Sequence, residues 1–284
     1  MIAELTKEYL IQSDPVIFAN EILVSWLGGV PDAVQSKILR SRSRQIICNC
    51  HRQWGKSSII AIKALHKGLY HSNSLILVAS PTENQSKEMF LKIINASIMI
   101  EGLEKTEDSK SRMTLSNGSR IVTLPGTEKS VRGYTSPDLI IIDEASRALE
   151  ELYVAIRPMM LMSHGQLILI STPHGKQGFF HDVWSHHGET DPNGNGMMKM
   201  QDGWERYRVR ATKNKRVTKE WLQNERDQMT ERAFEQEYLC GFVETEEQVF
   251  PYELIQSMFD GKVQPLFGNI ITEDVKRMEF SGHI

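Results

Sequence analysis

The stretch Ile46-Ile47-Cys48-Asn49-Cys50-His51-Arg52-Gln53-Trp54-Gly55-Lys56-Ser57-Ser58-Ile59-Ile60 decides the fold. An apolar run enters it, a polar turn ends in Gly-Lys-Ser, and apolar residues then recur at helical spacing. Strand, turn and helix joined in this way make a phosphate loop. Backbone N–H groups of the turn and of the helix N-terminus converge on one spot, where the helix dipole also favours negative charge. There Lys56 reaches the β- and γ-phosphates of ATP and Ser57 ligates Mg2+, with Arg52, Gln53, Trp54, Gly55 and Ser58 completing the cradle. The usual spacing G-x-x-x-x-G-K-S wants glycine at position 50, and Cys50 stands there instead. For this segment alone the competing reading is a strand–helix turn that merely contains Gly-Lys-Ser.

Two further strand ends bear on that choice. Asp138-Leu139-Ile140-Ile141-Ile142-Asp143-Glu144-Ala145 reads as a buried strand that delivers two carboxylates at its C-terminal end, where ligand sites of open α/β sheets lie. Asp143 is expected to hold the Mg2+ shell through water. Glu144, on the opposite side by strand alternation, is expected to polarise the attacking water as general base. Leu167-Ile168-Leu169-Ile170-Ser171-Thr172-Pro173 repeats the design with hydroxyl residues and a terminating proline, so that a hydroxyl there can sense the γ-phosphate.

Outward from these motifs, apolar runs at 45–48, 74–79, 139–142 and 167–170 alternate with helical stretches at 57–71, 84–100 and 148–160. Consecutive apolar residues suit strands buried on both faces, and the alternation predicts a doubly wound α/β domain with a mainly parallel sheet. Residues 112–124 read as a hairpin on one edge of the sheet, with Asn117-Gly118 in a type I′ turn. The expected organisation is an N-terminal helical segment (1–30), an ATPase core (31–200), a small lid subdomain (201–245) built from a strand at 204–211 and two charged helices, and a linker (246–284). The polar, Gly-rich stretch 186–196 reads as a loop.

Composition sets the outer bounds. The chain has 284 residues, 40% of them hydrophobic and 24% charged, which is the make-up of a globular protein and not of a disordered or fibrous one. Its net charge of −3 gives no global basic field, so any DNA contact has to be local or shared among copies. Three cysteines cannot build a disulfide framework, and Cys48 and Cys50 are too close in sequence to bridge. With no long apolar run and no basic N-terminus ahead of an apolar stretch, neither a membrane span nor a signal peptide is expected, and the chain reads as intracellular.

Arg52-Gln53-x-Gly55-Lys56-Ser57, Ile140-Ile141-Ile142-Asp143-Glu144-Ala145 and Ser171-Thr172-Pro173, in this order, resemble the ATPase domain of the large terminase subunit, the genome-packaging motor of tailed bacteriophages. Ser130-Val131-Arg132-Gly133, His174 to Phe180 and Glu237 to Phe242 add to the resemblance, which covers roughly residues 30–250. It implies an ASCE-type P-loop core (the subgroup with a catalytic glutamate beside the acidic-motif aspartate) and a lid. It further implies a homo-oligomeric ring, monomeric in isolation, that docks on the portal protein of a procapsid in the host cytoplasm. With the small terminase subunit as partner, such a ring pumps double-stranded DNA by ATP hydrolysis. By the same resemblance Ser171-Thr172-Pro173 is the coupling motif, and Gln35 matches an adenine-contacting glutamine.

An arginine that neutralises transition-state charge accelerates phosphoryl transfer by about 10³ to 10⁵. Arg132 is the candidate finger supplied to a neighbouring subunit, and Arg52 a candidate acting in its own. Acidic residues after position 240 show no strand-borne triad, so no nuclease site is expected in this chain. Two other readings stay open: a superfamily 2 helicase, which needs a second RecA-like domain, and a nucleotide-gated assembly module without sustained turnover. His181, His186 and His187 with Asp182 and Asp191 straddle a helix end and a loop, and are read as no metal site. Trp54 is expected to pack on a helix. Arg40, Arg42 and Arg44 form one basic cluster and Lys213, Lys215 and Arg216 another; each reads as solvated surface, with contact to DNA phosphates as the alternative.

Overall fold

The computed structural model describes residues 2–185, 197–199 and 203–244. The expected loop at 186–196 and linker at 246–284 lie outside them. Among the described residues, β1 (Gln45–Cys50), β2 (Leu75–Ser80), β3 (Lys105–Asp108), β4 (Arg112–Leu115), β5 (Arg120–Pro125), β6 (Leu139–Asp143), β7 (Gln166–Ser171), β8 (Met197–Lys199) and β9 (Trp204–Val209) form a single sheet. Its order is β3-β4-β5-β2-β6-β7-β1-β9-β8. The six central strands, β5 to β9 in that order, are parallel, and antiparallel strands close both edges.

Before the sheet come α1 (Ile2–Ser13), α2 (Pro15–Ile22), α3 (Val24–Leu27) and α4 (Ala33–Arg40). Within it lie α5 (Lys56–Tyr70), α6 (Glu83–Ser97), α7 (Glu128–Val131), α8 (Glu150–Ser163) and α9 (Gly178–Ser185), and after it α10 (Lys219–Gln228) and α11 (Glu231–Leu239). Side chains alternate across each strand. Ile46, Cys48 and Cys50 therefore pack into one core with residues of α2, α4, α5 and α6, while Ile47 faces a second core with residues of α8 and α9. A strand covered on both faces has no solvent side, which is why the central runs read as continuously apolar.

This topology brings the C-terminal ends of β1, β7 and β6 side by side on one edge. In register Asn49 is opposite Ser171, and Asp143 is opposite Ile170. The loop after β1 therefore faces the chain leaving β7 and β6 without any long-range search.

Three local readings change. The turn at 115–119 is not type I′: Ser116 and Asn117 keep negative φ, and only Gly118 is left-handed, at +83°. Leu115 N–H donates to Ser119 O, and Gly118 N–H to Leu115 O. This is the three-residue hairpin loop in which glycine follows a type I turn. The hairpin is also more than a decoration, since β5 pairs in parallel with β2 and only β3 and β4 lie at the edge. The strand expected in the lid, β9, is instead a member of the main sheet, matched to β1 from Gln45↔Trp204 to Cys50↔Val209. Its charges are buried with partners. Glu205 accepts from Tyr207 Oη at 2.7 Å, Arg206 donates to Val183 O at 2.6 Å, and the Arg208 guanidinium lies 5.2 Å from the Trp184 ring centre. Ala211, Leu222 and Phe234 form a separate small core beneath α10 and α11.

Gly165 sits where the chain enters β7. A Cβ there would lie 2.3 Å from Pro137 O and 3.0 Å from Asp138 O, and both are backbone. Gly165→Ala should lower stability by about 2 kcal/mol, read as a reduced urea midpoint with unchanged slope. A midpoint equal to the parent's would contradict the close approach of these two strand entries.

Candidate active site

The phosphate loop is held from below and from both sides. Gln53 and Gly55 adopt left-handed φ values of 61° and 102°. The first N–H groups of α5 lack intrahelical partners by helix geometry. Cys50 occupies the position where glycine is usual, fully buried at the end of β1, with its Sγ 3.6 Å from Ser171 O. The thiol thus lies under the loop against β7. Burial, reinforced by Glu144 and Asp143, pushes its pKa up to about 12, so it stays a neutral packing group. Trp54 is buried and packs at the start of α4, its Nε1 donating to Asp32 Oδ2 at 2.8 Å.

Gln35 is a structural tie here. Its Oε1 accepts from Asp32 N–H at 2.9 Å, closing the capping box of α4, and its Nε2 donates to Trp54 O at 3.0 Å. Both ends of the amide are engaged in fixing the loop to α4.

The Lys56 ammonium is the centre of the site. It is 8% exposed, donates to Thr172 Oγ1 at 2.7 Å, and stands 3.3 Å from Glu144 Oε1. Burial works against its charge, but the carboxylates of Glu144 and Asp143 outweigh that effect, and its pKa lies above the ordinary value. Glu144 is not placed by strand alternation. β6 ends at Asp143, and Glu144 turns into left-handed conformation (φ 49°, ψ 43°), which brings its carboxylate over the strand ends. Its Oε2 accepts from Ser171 Oγ at 3.2 Å. A non-glycine residue held in this region costs about 1–3 kcal/mol, and such residues concentrate at functional sites.

Ser171, Thr172 and Pro173 are all buried at the end of β7. Ser146 has no place in the sequence reading. Its Oγ lies 2.8 Å from Ser171 Oγ and donates to Thr172 O at 2.7 Å, so it welds the chain after β6 to the chain after β7. No motif marks it; it comes into reach only through the short helical turn at 145–147.

Asp143 is 9% exposed, and its Oδ1 accepts from Glu144 N–H at 3.0 Å. Burial first, and Glu144 second, raise its pKa from 3.8 to about 6, against the opposing pull of Lys56. Ser80, at the end of β2 beside Asp143 in the sheet register, is fully buried, and its hydroxyl has no hydrogen-bond partner among the described residues. A buried carboxylate short of positive charge, with an unsatisfied hydroxyl beside it and the half-buried Ser57 on the loop, is the hard-oxygen donor set that Mg2+ takes. No group of three or more His, Cys, Asp or Glu with metal-site geometry occurs among the described residues.

On the far side of the loop a cavity of about 730 Å³ is lined by His51, Arg52, Gln53, Val217, Trp221 and Tyr238, among others. Arg52 is tied to this side: its N–H donates to Glu237 O at 3.0 Å, and its guanidinium is 3.6 Å from Glu237 Oε2. His51 N–H donates to Val209 O, and Asn49 Nδ2 to Cys240 O. Arg132, by contrast, is not brought to the loop. It caps α7, pairs with Glu128, and its side chain is 70% exposed. α7 follows β5, which lies four strands from β1 in the sheet order.

A parallel sheet with Gly-Lys-Ser after one strand, Asp-Glu after another, and one strand between the two defines a P-loop NTPase of the ASCE type. Residues 47–257 match the family model described as terminase large subunit, T4-like-virus-type, N-terminal, and the chain belongs to that family. The terminase large subunit of Thermus phage G20c is 23% identical over 248 residues, covering 79% of this chain and 51% of that protein. The chain thus spans about half the length of the curated relatives it matches. In three dimensions it is similar to the large terminase ATPase domain of Thermus phage P74-26 (TM-score 0.65, 22% identity, 78% of this chain and 97% of that one). The large terminase of another thermophilic bacteriophage, solved in complex with ADP, is similar over 74% of this chain and 53% of its own (TM-score 0.58, 12% identity). No helix among the described residues is long and apolar enough to cross a membrane.

The raised pKa of Asp143 has a consequence for stability. The folded protein holds this proton more tightly than the unfolded chain, so stability falls as pH rises from about 4 through about 6. Without nucleotide or metal, Asp143→Asn should therefore melt higher than the parent at pH 7.5, by about 1–2 kcal/mol in stability. The gap should close by about pH 4. A variant less stable than the parent at pH 7.5 would contradict the buried, under-compensated carboxylate.

Proposed function

We propose that this chain is the ATPase motor domain of a large terminase subunit, which hydrolyses ATP to drive double-stranded DNA into a procapsid. One observation carries the reading: Lys56, Glu144 and Thr172, from three separate strand ends, meet at a loop built to cradle phosphate. The triphosphate lies along the N–H groups of residues 53–58, and its arrival draws Lys56 off Glu144 and Thr172. The base side of the nucleotide enters the cleft between the loop and α10–α11, the two helices of the lid. Ser57 and Asp143 would hold Mg2+, which would supply charge screening of the phosphates. Freed from Lys56, Glu144 takes a proton from the attacking water, while Ser171 fixes its second oxygen. Ser171-Thr172-Pro173, joined to the acidic strand end by Ser146, passes the state of the γ-phosphate to the rest of the domain.

Arg132 is exposed and pairs only with Glu128 among the described residues, which suits a finger delivered to the next subunit of a ring. Arg52, held by Glu237, stands where it can leave the lid for the phosphates of its own subunit. Gln35 serves the nucleotide through the loop it fixes, and Trp54 through the same tie. The partners on this reading are DNA, the portal protein and the small terminase subunit, met in the host cytoplasm. Glu144 favours sustained turnover over a binding-only assembly module, because a switch needs no base at that place.

Glu144→Gln should keep ATP binding and lose about 10³-fold in turnover, measured as phosphate release beside binding of a fluorescent analogue. Near-normal turnover in that variant would remove Glu144 as the base. Arg132→Ala should also be inactive in the assembled ring. An equal mixture of the two variants should recover roughly one quarter of parental turnover, because each complete site needs an intact Glu144 and a neighbour's intact Arg132. No recovery on mixing would contradict the supply of Arg132 between subunits.

A further inference from the structure

We infer that a groove at the opposite edge of the sheet is a docking surface for the phosphodiester backbone of DNA. The inference rests on the translocase reading and places one DNA-contacting face. The groove has a volume of about 960 Å³ and runs between the α1–α2 corner, the segment from α4 into β1, the second half of α5 and the turn before β7. Arg44, Asp138 and Gln166, among its lining residues, stand at the N-terminal ends of β1, β6 and β7. The phosphate loop lies at the other ends of the same strands.

Charge in the groove is one-sided. Five Lys and Arg side chains line it against two Asp, in a chain whose net charge is −3. Arg40 is neutralised by Asp14 at 2.8 Å, and Lys63 caps α4 through the carbonyls of Ile38, Leu39 and Ser41. Asp138 is occupied in accepting from Leu75 N–H at 2.9 Å. The side chains of Arg42 and Lys67 have neither a hydrogen bond nor an ion pair among the described residues, and the Arg44 side chain donates only to the neutral Met160 carbonyl at 3.1 Å. The groove therefore keeps three cations without a carboxylate. His71 lies between them. Its pKa is lowered first by burial and then by Lys67, with Arg42 adding to the shift and Asp138 opposing it.

Cations in a concave, low-dielectric setting focus a positive potential and raise the local concentration of anions. Here they come from two elements, Arg42 and Arg44 from the segment between α4 and β1 and Lys67 from α5. That spread suits a linear polyanion with regularly repeated charge, and a nucleic-acid backbone is held in this way by Lys and Arg contacts to successive phosphates. Bases need not be read, as a motor that moves any sequence requires.

The test uses the full chain and a labelled DNA duplex of about 30 base pairs, followed by fluorescence anisotropy from about 50 to 200 mM salt. The double substitution Arg42→Glu with Lys67→Glu should weaken binding about tenfold at the low end and flatten the salt dependence by about two phosphate contacts. Analogue binding at the phosphate loop and the thermal midpoint should stay as in the parent, because the two sites lie at opposite strand ends. If the parent binds DNA and the double variant binds it with the same affinity and salt slope, the groove is not the contact, and the translocase reading is untouched. If the parent binds no duplex even at the lowest salt, this inference falls, and the translocase reading loses its substrate as well. If the groove instead retains poly-glutamate in an Arg42- and Lys67-dependent manner with no affinity for DNA, its partner is an acidic protein surface, and the proposal is overturned.

Discussion

A lysine ammonium buried at the strand ends has to find negative charge, and the architecture around Lys56 answers that requirement. Isolated in the interior, such a charge would cost several kcal/mol. Here Glu144 and Thr172 compensate it, and both reach it only because β6 and β7 end beside the loop that follows β1. A buried pair of this kind adds little to stability, since desolvation offsets most of the attraction. Its worth lies in being exchangeable. On the proposed reading, a phosphate that offers Lys56 more charge and more acceptors releases the Glu144 carboxylate to act as base.

Much of this was legible in the sequence because it is local. Gly-Lys-Ser after an apolar run, Asp-Glu after another and Ser-Thr-Pro after a third each mark a strand end, and a parallel sheet places such ends on one edge. What escaped the sequence depends on contacts made far along the chain. β9 carries Glu205, Arg206 and Arg208 and so reads like an exposed strand, yet they are buried, in contact with Tyr207, Val183 and Trp184. Strand alternation gives Glu144 a direction, but that rule ends with the strand. Its left-handed backbone, which no residue type announces, gives it the reach to both Lys56 and Ser171. Ser146 has no motif at all.

The loop is tied on two sides, and the ties differ in kind. On the α4 side Gln35 and Asp32 hold Trp54 through buried and partly buried hydrogen bonds. Towards α11 the bond is an exposed ion pair from Arg52 to Glu237, worth at most about 1 kcal/mol in solvent and readily exchanged for phosphate. Strands β1, β6 and β7 then run from the phosphate-loop edge to the basic groove, so the same strands join the proposed nucleotide site to the proposed DNA-docking face.

The exchange at Lys56 is decided by a structure with a non-hydrolysable ATP analogue and Mg2+. In it the γ-phosphate should lie against the N–H groups of residues 53–58, with the Lys56 ammonium on phosphate oxygens and both Glu144 oxygens withdrawn from it. Cys50 should remain beneath the loop against Ser171. An analogue found elsewhere, or Lys56 still paired with Glu144 while nucleotide occupies the loop, would contradict it.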